Sequence, residues 1–164
     1  MEYRYIGKSG LRVTPICMGT MSFGSWSDKK ESFKILDMAY ERGINFYDTA
    51  EIYPVPPKSD YAGLTEQIIG EWLQTKPRES IILASKVAGA ANGWFVPPIR
   101  HGLTAIDRFH IQKALEGSLK RLKTDYIDLY QVHWPDTIIP KEESMRALDE
   151  LVKSGKVRYL GTSN

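Results

Sequence analysis

Acid–base chemistry is available from four side chains that stand at or just after the ends of short apolar runs: Asp48, Tyr53, Lys86 and His133. A phenol has a pKa of about 10 in water, so a tyrosine that donates a proton at neutral pH needs a nearby positive charge to stabilise its phenolate. Lys86 is suited to that task, and Asp48 would keep the lysine charged in a partly desolvated site. His133 could then orient a bound carbonyl group or help relay the proton. The set predicts a proton-donating site, although each side chain alone has a structural alternative as a cap, a loop anchor, a strand end or a core histidine.

The positions of these side chains depend on an alternation of strand-like and helix-like segments. Short runs bounded by Gly, Asp or Pro predict strands at 16–19, 44–48, 81–86, 126–133 and 157–161. Between them, apolar stripes at helical spacing predict four helices, three of which follow Asp28, Asp60 and Asp107 and the last of which ends before Gly155. This order predicts a parallel sheet with right-handed crossovers, in which the four side chains collect at one face.

Two parallel architectures compete, the open doubly wound sheet and the closed (β/α)8 TIM barrel. The segment from Gly19 to Gly24 lacks the G-x-G-x-x-G spacing that is typical of the open dinucleotide-binding fold. Polar residues end strand after strand instead, which is where barrel active sites are built. A predicted hairpin at 3–13 also fits, because it could plug the N-terminal end of a barrel. We therefore predict an α/β protein of the TIM-barrel class.

Chain length limits how much of a barrel is present. A barrel of this kind takes about 250 residues or more, whereas these 164 residues supply five strands and four helices. We predict one domain over 1–164, with a hairpin cap at 1–14 and the first five barrel strands at 15–164. The last strand would leave an unpaired edge, which indicates the N-terminal part of a longer barrel. The alternative is a half-barrel that pairs with a second copy, so a homo-oligomer stays open.

Composition excludes several classes of partner. A net charge of +2, from 22 basic and 20 acidic residues, gives no case for a nucleic-acid surface. No apolar stretch approaches the roughly 18 residues of a membrane span, and we find no signal peptide. We therefore expect a cytoplasmic protein with no membrane partner, and we predict no metal site. The single cysteine, Cys17, is predicted to be a buried apolar residue of the first strand and not a nucleophile.

Four motifs, in chain order, make the sequence similar to a known family. They are Asp48-Thr49-Ala50-Glu51-Ile52-Tyr53, Ala84-Ser85-Lys86, Gln131-Val132-His133-Trp134-Pro135 and Gly161-Thr162-Ser163-Asn164. They closely resemble the successive motifs of the aldo-keto reductases, and the resemblance runs from the hairpin to the last residue. Within that family, the segment 50–57 looks most like the branch of the bacterial Tas protein, which in turn resembles the β subunits of voltage-gated potassium channels.

The resemblance implies NADPH-dependent reduction of an aldehyde or ketone to an alcohol. By position, Tyr53 would donate the proton, Lys86 would stabilise its phenolate, Asp48 would pair with Lys86, and His133 would bind the carbonyl oxygen. The residues that match the family's contacts with the NADP cofactor are Gly19, Thr20, Met21, Asp48, Ser163 and Asn164. The preference for NADPH over NADH follows from the resemblance alone. The alternative is a regulatory subunit that binds the nicotinamide cofactor, or a truncated form, with little or no turnover.

Aromatic side chains on the predicted loops are candidates for the wall of a substrate pocket. They are Trp26, Trp94, Phe95 and Trp134, and an aromatic or apolar carbonyl compound would suit such a wall. Packing of the same side chains onto neighbouring helices is an equal alternative. The segment 87–104 is long for a loop after a strand and contains several Gly and Pro residues, which favours a lid.

Overall fold

The computed structural model describes residues 2–90 and 96–163. Within these residues, a two-stranded hairpin precedes a five-stranded sheet and four α-helices. The strands are β1 (Arg4–Tyr5), β2 (Arg12–Val13), β3 (Met18–Gly19), β4 (Phe46–Asp48), β5 (Ile82–Val87), β6 (Ile127–Val132) and β7 (Val157–Thr162). The helices are α1 (Lys29–Glu41), α2 (Leu64–Leu73), α3 (Arg108–Leu122) and α4 (Lys141–Lys153).

The order of the strands separates the two architectures that the sequence left in competition. The sheet runs β3-β4-β5-β6-β7, in chain order, and every neighbouring pair is parallel. A doubly wound sheet reverses its strand order at a switch point, whereas a barrel adds each strand beside the previous one. The described sheet has no reversal. The prediction of a partial α/β barrel is therefore confirmed.

Helix boundaries follow local chemistry at two of the predicted caps and differ at the third. Asp28 accepts a hydrogen bond from the backbone N–H of Glu31 at 2.8 Å, and Asp107 accepts one from His110 at 2.9 Å. Helix α2, in contrast, begins after Gly63 and not near Asp60. The reason is that Gly63, with φ +82°, donates its N–H to the carbonyl of Tyr53 at 2.8 Å, so the chain first turns back toward Tyr53.

The first two strands of the sheet are shorter than predicted. Only Met18 and Gly19 of β3 pair with β4. Asn45, just before β4, accepts a hydrogen bond on its side chain from the backbone N–H of Thr14, which follows the hairpin, at 2.8 Å. The prediction that Cys17 is buried is wrong, since this residue is exposed. It lies just before the paired part of β3, which is one of the two edge strands of the described sheet. Pairing with a neighbour, and not apolar character alone, decides whether such a residue is covered.

Two apolar clusters lie on opposite faces of the sheet. The larger one fills the space between the sheet and the helices, and its largest member, Trp72, is fully buried with its ring centroid 5.1 Å from that of Tyr47. The smaller cluster joins the hairpin to the other face through Leu11 and Leu129. In addition, the hydroxyl of Tyr159 accepts a hydrogen bond from the Gly10 N–H at 2.9 Å. The hairpin thus covers the N-terminal part of the inner face, which leaves the C-terminal ends of the strands for a site.

Candidate active site

The four acid–base residues predicted from the sequence come together at the C-terminal ends of three adjacent strands. Asp48 is the last residue of β4, Lys86 lies near the end of β5, and His133 directly follows β6. Hydrogen bonds continue the ladder past the strand ends: Glu51 N–H donates to the Lys86 carbonyl at 3.3 Å, and His133 N–H donates to the Val87 carbonyl at 3.0 Å. The backbone therefore positions these groups before any side-chain contact is made.

The ammonium group of Lys86 is buried and hydrogen-bonded to two acceptors. Its Nζ lies 2.5 Å from Asp48 Oδ2 and 2.8 Å from the carbonyl oxygen of Thr49. The lysine side chain is only 6% exposed, whereas that of Asp48 is 26% exposed. Burying an ammonium group is costly unless it is paired and hydrogen-bonded, and both conditions are met here. The arrangement therefore keeps a positive charge fixed at the end of β5.

Tyr53 and His133 lie beside this charge. Lys86 Nζ is 5.0 Å from the centroid of the Tyr53 ring, and the Tyr53 and His133 rings are 5.7 Å apart with their planes at 81°. The backbone of Tyr53 is held on both sides, by donation to the Ala50 carbonyl and by acceptance from the Gly63 N–H. A phenol, an imidazole and an ammonium group thus share one small region.

His133 is neutral at physiological pH in this environment. Burial, together with the positive charge of Lys86, lowers the pKa of His133 from 6.5 to about 4. A neutral imidazole has one N–H donor and one acceptor nitrogen. His133 can therefore donate a hydrogen bond to an uncharged oxygen without bringing a second positive charge next to Lys86.

Gln131 is a member of the site that the sequence analysis did not single out. Its Nε2 donates to Asp48 Oδ1 at 3.2 Å, so the two oxygens of this carboxylate are held by different side chains, Gln131 and Lys86. Gln131 pairs with Lys86 in register and lies two residues before His133. Side chains two residues apart on a strand lie on the same face of the sheet. The spacing of Gln131 and His133 in the sequence could therefore have identified Gln131 as a residue of the site.

The residues predicted to contact a cofactor fall into two groups. Thr20 is buried and committed to the fold, since its N–H and its hydroxyl both donate to the carbonyl oxygen of Asp48, at 3.2 Å and 2.8 Å. Gly19, Met21 and Ser163 are exposed, and a Cβ added at Gly19 would meet no atom within 4 Å. Asn164 lies outside the described residues. The exposed group leaves open space beside Asp48, with which Gly19 is paired in register.

The predicted substrate-pocket residues are only partly placed. Trp134 lies beside the site, with its ring centroid 4.7 Å from that of His133 and its Nε1 donating to the Ala90 carbonyl at 2.7 Å. Trp26 is 73% exposed on the turn before α1. Trp94 and Phe95 lie outside the described residues. Trp134 is therefore the one aromatic candidate that the described residues bring next to the acid–base set.

In 2–90 and 96–163, no group of three or more His, Cys, Asp or Glu side chains could hold a metal ion. No helix in the same ranges is long and apolar enough to cross a membrane.

Comparison with known proteins places this site in a family context. The aldo/keto reductase family model matches residues 15–164. The oxidoreductase YrpG of Bacillus subtilis is 45% identical over 166 residues, which cover all of this chain and 49% of YrpG. Protein tas of Escherichia coli is 40% identical over 184 residues, covering all of this chain and 52% of that protein. The chain spans about half the length of the curated relatives it matches.

A solved structure gives the same family and the same fold. The holo form of an aldo-keto reductase from Bacillus halodurans superposes with a TM-score of 0.83 at 36% sequence identity. The match covers 99% of this chain and 50% of that one.

Proposed function

Because the chain belongs to the aldo/keto reductase family, we propose that it carries the proton-donating groups of an oxidoreductase that reduces aldehydes or ketones to alcohols with NADPH. The single observation that supports this most directly is the position of the Lys86 ammonium group. It is 2.5 Å from the Asp48 carboxylate and 5.0 Å from the centre of the Tyr53 ring. Members of this family generally use a nicotinamide cofactor, and the choice of NADPH over NADH is part of the proposal.

Tyr53 would act as the acid. When a carbonyl group becomes an alcohol, its carbon gains a hydride and its oxygen gains a proton, and the bound nicotinamide would supply the hydride. Tyr53 would give the proton to the oxygen and be left as a phenolate. A positive charge about 5 Å from the centre of a phenolate ring contributes on the order of 3 kcal/mol at an effective dielectric of about 20. Lys86 provides that charge, and Asp48 and the Thr49 carbonyl hold it in place.

His133 would hold the carbonyl oxygen in position for this transfer. Its neutral imidazole can donate an N–H to that oxygen, and its backbone N–H is tied to Val87 at the end of β5. Fixing a reactant at the correct distance and angle removes much of the entropic barrier to proton transfer. Trp134, whose ring lies close to that of His133, would form part of the wall for an apolar or aromatic substrate.

The described residues fit the nicotinamide end of the cofactor. Gly19 leaves open space, and Met21 and Ser163 are exposed, so these three would hold the ring near Asp48. Thr20 would contribute indirectly, because both of its donors are used on the Asp48 carbonyl. The role of Asn164 stays a prediction, as do the cytoplasmic location and the oligomeric state. No contact among the described residues favours the regulatory-subunit alternative.

The test is the substitution Tyr53→Phe, assayed by NADPH consumption with a simple aromatic aldehyde. We expect turnover by the unsubstituted protein and a fall in kcat of about 10²- to 10⁴-fold in the variant, because general acid catalysis contributes on that scale. Cofactor affinity, measured by fluorescence titration, should change little. Tyr61→Phe is the matched control, since the Tyr61 hydroxyl donates to the Pro56 carbonyl in the same loop and lies outside the acid–base set.

Two outcomes would contradict the proposal. Full activity in Tyr53→Phe would exclude Tyr53 as the proton donor. Cofactor binding by the unsubstituted protein, with no turnover of any aldehyde or ketone, would instead support the regulatory-subunit alternative.

A further inference from the structure

A buried ion pair lies next to the acid–base residues and is not used by the chemistry proposed above. Glu51, which is 2% exposed, accepts a hydrogen bond on Oε1 from Arg100 Nη2 at 2.7 Å. The side chain of Arg100 is 15% exposed. Glu51 stands two residues before Tyr53, whereas Arg100 comes from the long connection between β5 and α3. The pair therefore joins two segments that are far apart in the chain.

The backbone of Ala88 closes this contact into a ring. Ala88 N–H donates to the same Glu51 Oε1 at 2.7 Å, and the Ala88 carbonyl accepts from Arg100 Nη2 at 2.6 Å. Ala88 lies two residues after Lys86. The ion pair thus holds both the backbone N–H and the carbonyl of Ala88. This residue directly follows β5, the strand that carries Lys86.

The same short segment is held from its other side by the site's aromatic residue. Trp134 Nε1 donates to the Ala90 carbonyl at 2.7 Å. A Cβ added at Gly89, between the two anchored residues, would lie 3.4 Å from the Trp134 carbonyl oxygen, so the segment and the Trp134 backbone are in close contact. Residues 88–90 are consequently fixed between the Glu51–Arg100 pair and the residue that follows His133.

This arrangement carries energetic costs that ordinary packing does not require. Burial raises the pKa of the Glu51 carboxyl group, although the Arg100 guanidinium and the Ala88 N–H oppose that effect. Arg100 and His101 adopt positive φ angles of 49° and 56°, which are uncommon for residues other than glycine. Such features persist where the surrounding structure over-determines them, and they concentrate at functional sites.

We propose that Glu51 and Arg100 are positioning residues for the carbonyl-reduction site. Neither residue is placed to touch a reacting atom. Instead, the pair clamps the Ala88–Ala90 segment against the segment that bears Tyr53, which sets the orientation of the phenol and the width of the opening beside Trp134. This inference rests on the proposed function for its kinetic consequences, but the clamp itself is a property of the fold that can be tested without turnover.

A second buried Glu–Arg pair provides a matched control. Glu66 is fully buried and accepts from Arg121 Nε at 2.7 Å and from the Ser85 hydroxyl at 2.6 Å. It joins α2 to α3 and the outer face of the sheet. Both pairs join a buried glutamate to a partly buried arginine, but among the described residues the Glu66–Arg121 pair has no hydrogen bond to residues 49–53 or 88–90.

Amide hydrogen exchange on the full chain tests the clamp. We expect Glu51→Gln and Arg100→Met each to speed exchange in peptides that cover 49–53 and 86–90 by about tenfold or more, because they open a local structural unit. Glu66→Gln should speed exchange in α2 and α3 and leave the 49–53 peptide unchanged. Arg100→Lys should restore only part of the protection, since an ammonium group cannot match the guanidinium's fixed geometry.

Kinetics of the same variants test the link to catalysis. With an aromatic aldehyde, Glu51→Gln and Arg100→Met should lower kcat about tenfold or more and raise KM for the aldehyde, because a small misplacement of a reacting group has effects of this size. The Kd for NADPH should stay within about twofold, and Glu66→Gln should leave kcat near that of the unsubstituted protein after correction for the folded fraction.

Each result has a defined meaning. Unchanged exchange at 49–53 in both Glu51→Gln and Arg100→Met would overturn the clamp. Kinetic losses equal to those of Glu66→Gln would overturn the positioning role. If Glu51→Gln fails to fold, the more exposed Arg100 supplies the decisive variants. If the unsubstituted protein binds NADPH without turnover, the proposed function fails while the exchange data still decide whether the clamp exists.

Discussion

At the scale of single residues, Asp48 has the densest set of contacts in the site. Its carboxylate oxygens accept from Lys86 and Gln131, and its backbone carbonyl accepts from Thr20. A carboxylate held at both oxygens cannot rotate without losing a charge-assisted hydrogen bond, which is stronger than a neutral one. Asp48 therefore fixes the direction in which the Lys86 ammonium group points as well as its charge.

The low pKa of His133 predicts that the free energy of unfolding decreases in mild acid. The pKa of His133 is about 4 in the folded chain, against about 6.5 for a histidine in an unfolded chain. Between these values the unfolded chain binds a proton that the folded chain does not. The stability contributed by neutral His133 is therefore complete above about pH 6.5 and is lost toward pH 4, by up to about 3 kcal/mol.

Urea denaturation at pH 7 and pH 4.5 measures this loss. The unsubstituted protein should lose more stability between the two values than His133→Gln does. Burial and the nearby charge of Lys86 are what lower this pKa. Acidic groups elsewhere, such as Asp107 with its lowered pKa, titrate in both proteins and cancel in the comparison. Equal losses would mean that His133 is not held neutral by the fold.

At the scale of elements, the site depends on how closely α2 and α3 pack behind the sheet. A Cβ at Gly70 would lie 2.1 Å from the carbonyl oxygen of Arg121 and 2.7 Å from the carbonyl carbon of Leu122. These are backbone atoms of α3, so they cannot turn aside as a flexible side chain would. The absence of a side chain at this position lets the two helices approach, and the Glu66–Arg121 pair spans the same interface.

Gly70→Ala should therefore destabilise the chain although alanine favours helices. We expect the free energy of unfolding to fall by about 1–3 kcal/mol, because overpacking forces the two helices apart. Gly117→Ala is the control, since the nearest atoms to a Cβ there belong to the Arg121 guanidinium, a side-chain group that can shift more easily than backbone although it is paired with Glu66, and alanine adds up to about 1 kcal/mol of helix propensity. Thermal unfolding followed by circular dichroism compares the two. A melting temperature for Gly70→Ala at or above that of Gly117→Ala would contradict this packing argument.

At the scale of the whole molecule, the hairpin and the site share the inner face of the sheet. Leu11 is 1% exposed and packs with Leu129 and Ala84, which lie two residues before the site residues Gln131 and Lys86 on their strands. The prediction that residues 1–164 form one domain implies that hairpin and sheet unfold together. Burial of Leu11 is the contact that would couple them.

Leu11→Ala should lower the stability of the whole chain and not only that of the hairpin. The expected loss is about 2–5 kcal/mol, as for other buried leucines that are truncated to alanine. Tyr5→Ala, at a hairpin position that is 64% exposed, should change stability little. Urea denaturation followed by far-UV circular dichroism and by tryptophan fluorescence should give coincident transitions. A separate early transition confined to the hairpin would show that it is an independent unit.

Short-range patterns in the sequence were sufficient to predict much of this protein. The alternation of strands and helices follows from apolar periodicity, and the caps at Asp28 and Asp107 follow from side-chain chemistry within three residues. The four predicted acid–base side chains lie together because parallel strands bring their C-terminal ends to one edge. The resemblance to the family motifs then suggested a role for each of these four side chains.

Only the tertiary structure decided the contacts between segments that are distant in the chain. Gln131 and Asp48 are 83 positions apart, and Arg100 and Glu51 are 49 apart, so neither pair leaves a periodic signal in the sequence. The exposure of Cys17 and the low pKa of His133 likewise depend on what packs against them. The sequence by itself determined which local elements form, because period and capping act over a few residues. Pairing, burial and charge proximity were decided by the fold, because they depend on which surfaces meet.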